Sequence, residues 1–352
     1  MSRAQEPRRS FIPFGNPFKR TSPKGSYLSP RLLAILNSFE DRLTLRLIKL
    51  KPTNKDDILS LSWMKLSMEL LCETHNDIKA LISDLELPVS DWESKWVDVY
   101  LNNSVTLLDI CNTFTSEISR LNQGHLILQC ALLKLGSDSS EQFARSLEFL
   151  DQWKQLISSK NPKVENCTAI MATLIETSDL PKVKTSARGK ILMCAMYGLK
   201  TMTASICSVF AAAFMSSSNK LIDLHVPDTL AWAGAFTDLQ TTVNTEIRNH
   251  FSDGTCTVLK ELDAVDSVIK KLHPLIHHNQ GHTKTESFYI LISDLETKSK
   301  QFTQGLDQLT MGVDSFFRVV LTGRDALLSN IKSSSTVFGS SQKCGFEKKT
   351  VK

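Results

Sequence analysis

Residues 191–219 read ILMCAMYGLKTMTASICSVFAAAFMSSSN, a stretch in which Lys200 is the only charged residue. A membrane-spanning helix needs about 20 apolar residues, and a lysine near the bilayer centre costs about 3 kcal/mol on insertion scales. The uncharged window after Lys200, residues 201–219, also contains eight serine, threonine and asparagine residues. The stretch is therefore marginal as a membrane span, and we favour a central helix of a helical bundle.

A helical projection of this stretch separates a bulky apolar face from a face of small residues. The small face carries Ser205, Ser208 and Ala212, so neighbouring helices can pack on both sides, as a central helix requires. Membrane contact through the bulky face is the alternative, because hydropathy alone does not distinguish a buried helix from a span. The residues of the bulky face are Met202, Ile206, Val209, Phe210, Ala213 and Phe214.

Between its two ends, the chain repeats apolar residues at spacings of three and four, the period of amphipathic helices. Ser29 followed by Pro30 predicts the start of the first helix, and Asn54 predicts the N-cap of the second. A long third helix is predicted to start at Ser90, and a last long helix to end near Ile331. No strand-type alternation bounded by hairpin turns occurs in the sequence. The predicted fold class is all-α, a bundle of long antiparallel helices.

Composition divides the chain into five segments. A polar connection with proline and glycine, SDLPKVKTSARGK, separates two helical halves that we expect to pack on each other. Both chain ends are polar and are expected to be disordered. The segments are a basic N-terminal arm (1–28), an N-terminal helical half (29–177), a linker (178–190), a C-terminal helical half (191–331) and a Ser/Lys-rich tail (332–352).

The formal net charge of +4 is unevenly distributed. Residues 1–25 carry +5 and residues 343–352 carry +3, so the body between them carries −4. Because phosphate binding needs clustered basic residues, an acidic body disfavours nucleic acid as a partner. The eight cysteines include no C-x-x-C pair and read as reduced core residues of an intracellular protein.

No sequence pattern indicates catalysis, and we predict no catalytic, cofactor-binding or metal-binding residues. The densest histidine group is HPLIHHNQGH at 273–282, where Pro274 and Gly281 interrupt any helical face, so we expect a solvated loop rather than a metal site. ETHND at 73–77 reads as an exposed polar helix face, and LTGRDALL at 321–328 reads as a helix kink with a surface ion pair. No glycine-rich phosphate loop and no G-x-S-x-G elbow is present in the sequence.

The arm contains RRSFIPFGNPFKR, in which phenylalanines alternate with prolines and basic residues. Such a segment buries too little apolar surface to fold alone, yet it exposes aromatic rings. We predict that it docks into a partner groove or onto an anionic membrane surface, where each basic residue contributes about 1 kcal/mol. A disordered leader and a plastid or mitochondrial transit peptide are the alternatives. The predicted docking residues are Arg8, Arg9, Phe11, Phe14, Phe18, Lys19 and Arg20.

Several stretches along the chain are similar in sequence to one protein family. They are FIPFGNPF (11–18), LSPRLLAILNSFEDRL (28–43), the segment from KPTNKDDILSLSW to LNNSVTLLDICN (51–112), RLNQGHLILQCALLKL (120–135), SVFAAAF (208–214) and FFRVVLTGRDALL (316–328). Together they resemble the plant BYPASS family over nearly the whole chain. The resemblance implies a helical protein without assigned enzymatic activity, which restrains production of a mobile, carotenoid-derived, root-made signal that arrests shoot growth. It also implies relatives linked to the exocyst, a vesicle-tethering complex, and it carries no catalytic residues.

From this resemblance we expect a non-enzymatic regulator of root and shoot development that acts through protein partners, either vesicle-tethering or biosynthetic proteins. The alternative is a small-molecule-binding protein or a cryptic enzyme that acts on the precursor of the signal. A deep apolar pocket with a few convergent polar groups would favour that alternative, whereas a filled core with exposed apolar grooves would favour the regulator. The expected location is the cytoplasm, with weak association with the endoplasmic reticulum or another membrane, and the plastid is the alternative.

Overall fold

The described part of the chain is built from nine α-helices. A computed structural model describes residues 28–54, 57–86, 94–136, 139–176, 186–252, 259–278 and 285–341. No β-strand occurs in these ranges, so the predicted all-α class is confirmed. The helices are α1 (Pro30–Leu50), α2 (Leu61–Asp84), α3 (Ser94–Leu135), α4 (Ser140–Ser158), α5 (Pro162–Glu176), α6 (Ala187–Met215), α7 (Ala233–Ser252), α8 (Lys260–His278) and α9 (Glu286–Ser341).

The first two helices begin with serine caps. The Ser29 hydroxyl accepts a hydrogen bond from the Leu32 amide at 3.4 Å, and Pro30 occupies the first turn, as predicted. The prediction of Asn54 as the N-cap of the second helix is wrong, because Ser60 caps α2. A contact from a distant helix meets α2 at this later start.

That distant contact comes from the first turn of α8. Both carboxylate oxygens of Glu261 lie 3.1 Å from the Leu61 amide nitrogen, one of the α2 amides without a partner inside its own helix. In the opposite direction, the Leu59 carbonyl accepts a hydrogen bond from the Lys260 amide at 3.3 Å. Leu59 adopts a φ of 67°, a conformation that L-residues rarely adopt. The two helix starts therefore hold each other in place.

Other predicted boundaries also differ from the structure. α6 begins at Ala187, so the last residues of the predicted linker 178–190 are helical. α8 continues through Pro274, where we predicted a loop. A proline inside a helix costs about 3 kcal/mol, which burial of the apolar face of α8 against α4 and α9 offsets. α9 extends to Ser341, into the predicted tail, and the predicted helix start at Ser90 lies outside the described residues.

α9 runs parallel to α2, which departs from the predicted antiparallel arrangement. Gly305 packs on Leu61 and Gly312 packs on Met68, so the two helices advance in the same direction in a constant register. A Cβ atom at Gly305 would lie only 2.6 Å from Leu61 Cδ1 and 2.9 Å from Leu61 Cβ. Glycine therefore allows the close approach of the two backbones. Apolar periodicity does not reveal this contact, because it shows which face of a helix is buried but not whether the helix that covers this face runs parallel or antiparallel to it.

A Gly305→Ala variant is expected to lose about 1–2 kcal/mol of unfolding free energy. Overpacking a filled core costs about 1–3 kcal/mol, which exceeds the helix-propensity gain of about 1 kcal/mol. Gly234→Ala is the matched control, because no atom lies within 4 Å of a Cβ atom there, and it should be neutral or stabilising. Urea unfolding of both variants measures the difference. A Gly305→Ala variant as stable as Gly234→Ala would contradict the described α2–α9 packing.

α3 and α9 form a long antiparallel pair. Near one end, His125 Nδ1 lies 3.1 Å from Ser299 Oγ. Near the other end, the Arg324 guanidinium donates hydrogen bonds to the Leu101 carbonyl at 2.8 Å and to Ser104 Oγ at 3.0 Å. The predicted antiparallel arrangement is therefore observed for this pair, and α9 connects the N-terminal and C-terminal halves along most of its length.

α6 lies at the centre of the bundle. It packs against α1, α2, α3, α5 and α7. By length and composition it is apolar enough to cross a membrane, but 94% of its most apolar window is buried inside the protein. Gly198 faces the Leu43 side chain of α1, while Phe210 packs on Phe114 of α3 with ring centroids 5.2 Å apart. Helices thus surround α6, as its bulky and small faces predict.

Candidate functional site

A group of buried polar side chains lies where α2, α3, α6 and α9 meet. His75 is 1% exposed, and its Nε2 atom lies 3.2 Å from the Tyr100 hydroxyl. The same hydroxyl touches Gly323 of α9, where a larger residue would have no room. Four further polar residues line the adjoining space or lie beside it. They are Asn103, Ser104, Lys200 and Thr203.

Burial changes the acid–base behaviour of this group. Burial, together with the nearby Lys79 ammonium, lowers the pKa of His75 to about 4, so its imidazole is neutral near pH 7. Burial raises the pKa of the Tyr100 phenol to about 12 and lowers the pKa of the Lys200 ammonium to about 8. The His75–Tyr100 pair is therefore uncharged at neutral pH, and burial weakens it as a source or acceptor of protons.

The cavity beside these residues is too small for a metabolite. Its volume is about 10 Å³, near the lower limit for one water molecule. Pockets for small molecules measure roughly 300–1,000 Å³. Apolar side chains fill the remaining space, including Leu107, Met196 and Leu199. Catalysis on a carotenoid-sized substrate has no room at this position.

Residues 73–77 were predicted to form an exposed polar face, and this prediction is wrong for Thr74 and His75, because both side chains are buried. The outer residues of the segment do face solvent and pair with α1: Arg46 Nε lies 3.1 Å from Glu73 Oε2, and Arg46 Nη1 lies 2.6 Å from Asp77 Oδ2. His75 instead follows the spacing of the buried apolar residues of α2. That spacing is the signal that could have identified it as a core residue.

The predicted kink with a surface ion pair at residues 321–328 is also wrong. α9 continues through this segment, and Arg324 is bound to α3 by the hydrogen bonds given above. Gly323 provides the space that the Tyr100 hydroxyl occupies. The Gly-Arg pair therefore locks α9 onto α3 beside the buried polar group.

The buried His75 predicts a pH-dependent stability. In the unfolded chain His75 binds a proton below its ordinary pKa of 6.5, whereas the folded protein binds it only below about 4. Stability is therefore lost as the pH falls from about 6.5 to 4, by about 3 kcal/mol from this residue. A His75→Gln variant should lose correspondingly less than the wild type over this pH range in urea unfolding. The exposed His225→Gln is the control, and equal pH profiles for all three proteins would contradict the burial of His75.

A second buried polar group joins α3 to the α4–α5 turn. Glu117 is 1% exposed and accepts hydrogen bonds from Arg120 Nε at 2.9 Å and Nη2 at 2.6 Å. Asn161 Nδ2 donates a third hydrogen bond to the same carboxylate at 3.0 Å. Arg120 also donates to the Leu156 carbonyl at the end of α4. Glu117, Arg120 and Asn161 therefore all have hydrogen-bond partners within the protein, and the group has a structural role.

The structure buries the α6 residues that we predicted as an alternative membrane-contacting face. Their side chains pack against neighbouring helices rather than outward, and Phe214 keeps partial exposure beside Phe114. In the described fold this face is therefore occupied by protein. The residues are Met202, Ile206, Val209, Phe210 and Phe214.

Two sequence-predicted groups of residues remain, and only the first lies partly within the described residues. Residues 273–278 of the histidine group are helical, and His273 Nε2 lies 3.0 Å from Asp151 Oδ1 of α4. Within the described ranges, no three His, Cys, Asp or Glu side chains lie close enough to hold a metal ion. The predicted docking residues of the arm lie outside the described residues. They are Arg8, Arg9, Phe11, Phe14, Phe18, Lys19 and Arg20.

An open groove on the surface lies between the end of α3 and the first half of α9. Its volume is about 910 Å³, far larger than the buried cavity. Leu133 projects at its edge with 77% of its surface exposed. The other lining residues are mostly polar or charged. They are His125, Gln129, Leu132, Gly136, Glu296, Lys300, Thr303, Gln304 and Asp307. Its open shape and the exposed Leu133 suit a protein segment, which makes it the candidate interface.

Comparison with known proteins agrees with the resemblance. The chain is 52% identical over 345 residues to "Protein BPS1, chloroplastic" of Arabidopsis thaliana, with 97% of each chain covered. It is 46% identical over 300 residues to "UPF0496 protein 4" of Oryza sativa subsp. indica, covering 84% of this chain and 66% of that one. "Protein ROH1D" of Arabidopsis thaliana is 19% identical over 382 residues. No solved structure matches the chain.

The family assignment follows from the extent of these matches. The family model described as "Protein BPS1" matches residues 68–331, which include α3 to α8 and most of α2 and α9. The Arabidopsis relative extends the similarity over nearly the full length of both chains. The chain therefore belongs to the BPS1 family, the plant BYPASS family that its sequence resembles.

Proposed function

We propose that the protein is a non-enzymatic regulator of plant root and shoot development. The observation that carries the proposal is the 52% identity to an Arabidopsis BPS1 protein over 97% of both chains. The BYPASS resemblance supplies the finer statement: the protein restrains production of a root-derived, mobile, carotenoid-derived signal that arrests shoot growth. The filled core supports a role without catalysis, because the buried polar group has only about 10 Å³ beside it.

Protein partners provide the mechanism in this proposal. The described surface has an open groove of about 910 Å³ between α3 and α9, whereas the polar core is closed. A regulator of this shape acts by holding another protein, either a biosynthetic enzyme or a vesicle-tethering component. The small-molecule alternative has no supporting cavity at the buried polar group.

A grafting experiment tests the proposed role. The protein is depleted in rootstocks only, and wild-type scions are grafted onto them, with and without an inhibitor of carotenoid biosynthesis. We expect arrested growth of the wild-type shoots and recovery in the presence of the inhibitor, because the signal is made in the root and moves. Normal shoots on depleted rootstocks would refute the proposal, and arrest that resists the inhibitor would refute the carotenoid origin.

The role of the arm determines where the protein is located in the cell, and there are two candidate locations. The printed name of the Arabidopsis relative includes "chloroplastic", which supports the plastid alternative with the arm as a transit peptide. The competing proposal is a cytoplasmic protein with weak membrane association. Sequencing the N-terminus of protein from fractionated tissue separates the two. A start beyond Phe18 in plastids supports transit, whereas a start at Ser2 in a non-plastid fraction excludes it.

A further inference from the structure

Beyond the groove, α3 and α9 stay in contact, and the outward-facing residues of both helices beside this contact are here called the α3–α9 seam. Leu108 and Leu126 are separated by 18 residues, or five helical turns, and so share one face of α3. Thr303 of the groove and Leu321 have the same separation on α9. From residue 101 to residue 133, the seam is about 48 Å long.

Apolar side chains are exposed at both ends of the α3–α9 seam. Val105 is 44% exposed, Leu126 is 64% exposed and Leu321 is 36% exposed, in addition to Leu133 in the groove. Leu101, Leu108 and Phe317 are partly buried beside them. On α3 these residues recur at separations of three, four and seven, or at whole numbers of turns. A single straight helix laid along the α3–α9 seam would therefore contact all of them.

The α3–α9 seam is acidic. Four exposed carboxylates of α9 lie on the helix face that borders the groove, against two exposed basic residues on the same face, so these six groups carry a net charge of −2. This arrangement attracts a basic partner and repels an acidic one. The carboxylates are Glu296, Asp307, Asp314 and Asp325, and the basic residues are Lys300 and Arg318.

We propose that the α3–α9 seam binds an amphipathic helix of a partner protein, with leucine-like residues on one face and lysine or arginine residues beside that face. The inference rests on the proposed function, because it names the surface through which the regulator holds its partner. Two antiparallel helices with an apolar stripe accept a third helix in the groove between them. The apolar stripe supplies affinity, and the acidic flanks select the charge of the partner.

A second copy of this chain and the N-terminal arm could also occupy the α3–α9 seam, but the charge of the seam and the spacing of its apolar residues fit both less well. A second copy of this chain would place an acidic seam against an acidic seam, which is repulsive. The arm of this chain is basic, with +5 over residues 1–25, but Pro13 and Pro17 interrupt any helix that contains its phenylalanines. A partner helix meets both requirements, the apolar spacing and the basic charge.

A synthetic peptide tests the proposal. A helical peptide of five heptads, about 52 Å long, with leucine at positions a and d of each heptad and lysine or arginine beside them, is titrated with the full-length protein by fluorescence anisotropy. The control peptide carries glutamate at the basic positions. We expect the basic peptide to bind at least about tenfold more tightly, with an affinity that falls as salt is raised. Equal binding of both peptides would overturn the proposal.

Paired protein variants locate the binding surface. Leu126→Asn with Leu133→Asn should weaken the basic peptide by about tenfold or more, because both side chains lie in the α3–α9 seam. The matched control is Leu45→Asn with Ile48→Asn, an equally exposed pair on α1, at 66% and 59% exposure. All four residues are exposed, so both double variants should keep the wild-type melting temperature. Unchanged peptide binding by the seam variant would overturn the proposal.

Two further measurements distinguish the other occupants. Sedimentation of the wild type and the seam variant detects self-association, and a dimer lost only in the seam variant would replace the partner helix with a second copy. A photo-crosslinker in place of Phe14 of the full chain detects the arm, and crosslinks to α3 or α9 of the same molecule would assign the seam to the arm. We expect a monomer and no such crosslink. The grafting result is independent of these outcomes.

Discussion

A Val209→Arg variant is expected to lose its cooperative fold. Val209 is 2% exposed and lies on α6, which five other helices surround. An unpaired buried charge costs more than about 4 kcal/mol, a large part of the typical 5–15 kcal/mol of a protein domain. Circular dichroism during thermal unfolding of the purified protein should show a broad, low-temperature transition or none.

The control for this variant is Leu45→Arg on α1. Leu45 is 66% exposed, so its replacement should change stability by no more than about 0.5 kcal/mol. A Val209→Arg protein with a wild-type melting temperature would contradict the central position of α6. Such a result would favour the alternative, in which the apolar face of α6 contacts a membrane.

Glu117→Ala is expected to destabilise the protein by about 3–5 kcal/mol. Removing the carboxylate leaves the buried part of Arg120 without its ion-pair partner, and Asn161 loses a hydrogen bond. The α4–α5 turn would then lose one of its anchors on α3. Chemical unfolding measures the change in midpoint, and hydrogen exchange should show the first loss of protection at the end of α4.

Glu141→Ala provides the matched comparison. Glu141 pairs with Arg145 at 2.8 Å, but both side chains are exposed, so this ion pair contributes no more than about 0.5 kcal/mol. The two variants remove the same chemical group from a buried and an exposed ion pair. Equal stability losses would show that the Glu117 carboxylate is not buried as described.

The helical class could be predicted from the sequence because apolar spacing and caps are local signals. The Ser29–Pro30 start of α1 is visible in two adjacent residues, and the two faces of α6 are visible in one helical projection. The first feature marks where a helix begins, and the second marks which sides of a helix are buried. Neither reports which distant helix covers a buried side.

The features that the sequence did not reveal depend on long-range contacts. Glu261 binds the first amide of α2 from a helix 200 residues away. Gly305 allows the close approach of α9 to α2, and a lone glycine in a helical pattern does not identify the neighbour that packs on it. His75 was predicted to be exposed because the residues beside it in the sequence are polar, although its spacing matches that of the buried apolar residues of α2. The groove could not be predicted either, because its position depends on how α3 and α9, which are far apart in the chain, are aligned with each other.

The measurement that tests the account most directly is shoot growth on rootstocks in which the protein has been replaced by variants. Rootstocks lacking the protein receive the wild type, the Leu126→Asn/Leu133→Asn seam variant or the Leu45→Asn/Ile48→Asn control, at equal protein levels by immunoblot. The account predicts that the wild type and the control restore growth of wild-type scions, whereas the seam variant leaves them arrested. Full restoration by the seam variant would contradict a regulator that acts through the α3–α9 seam.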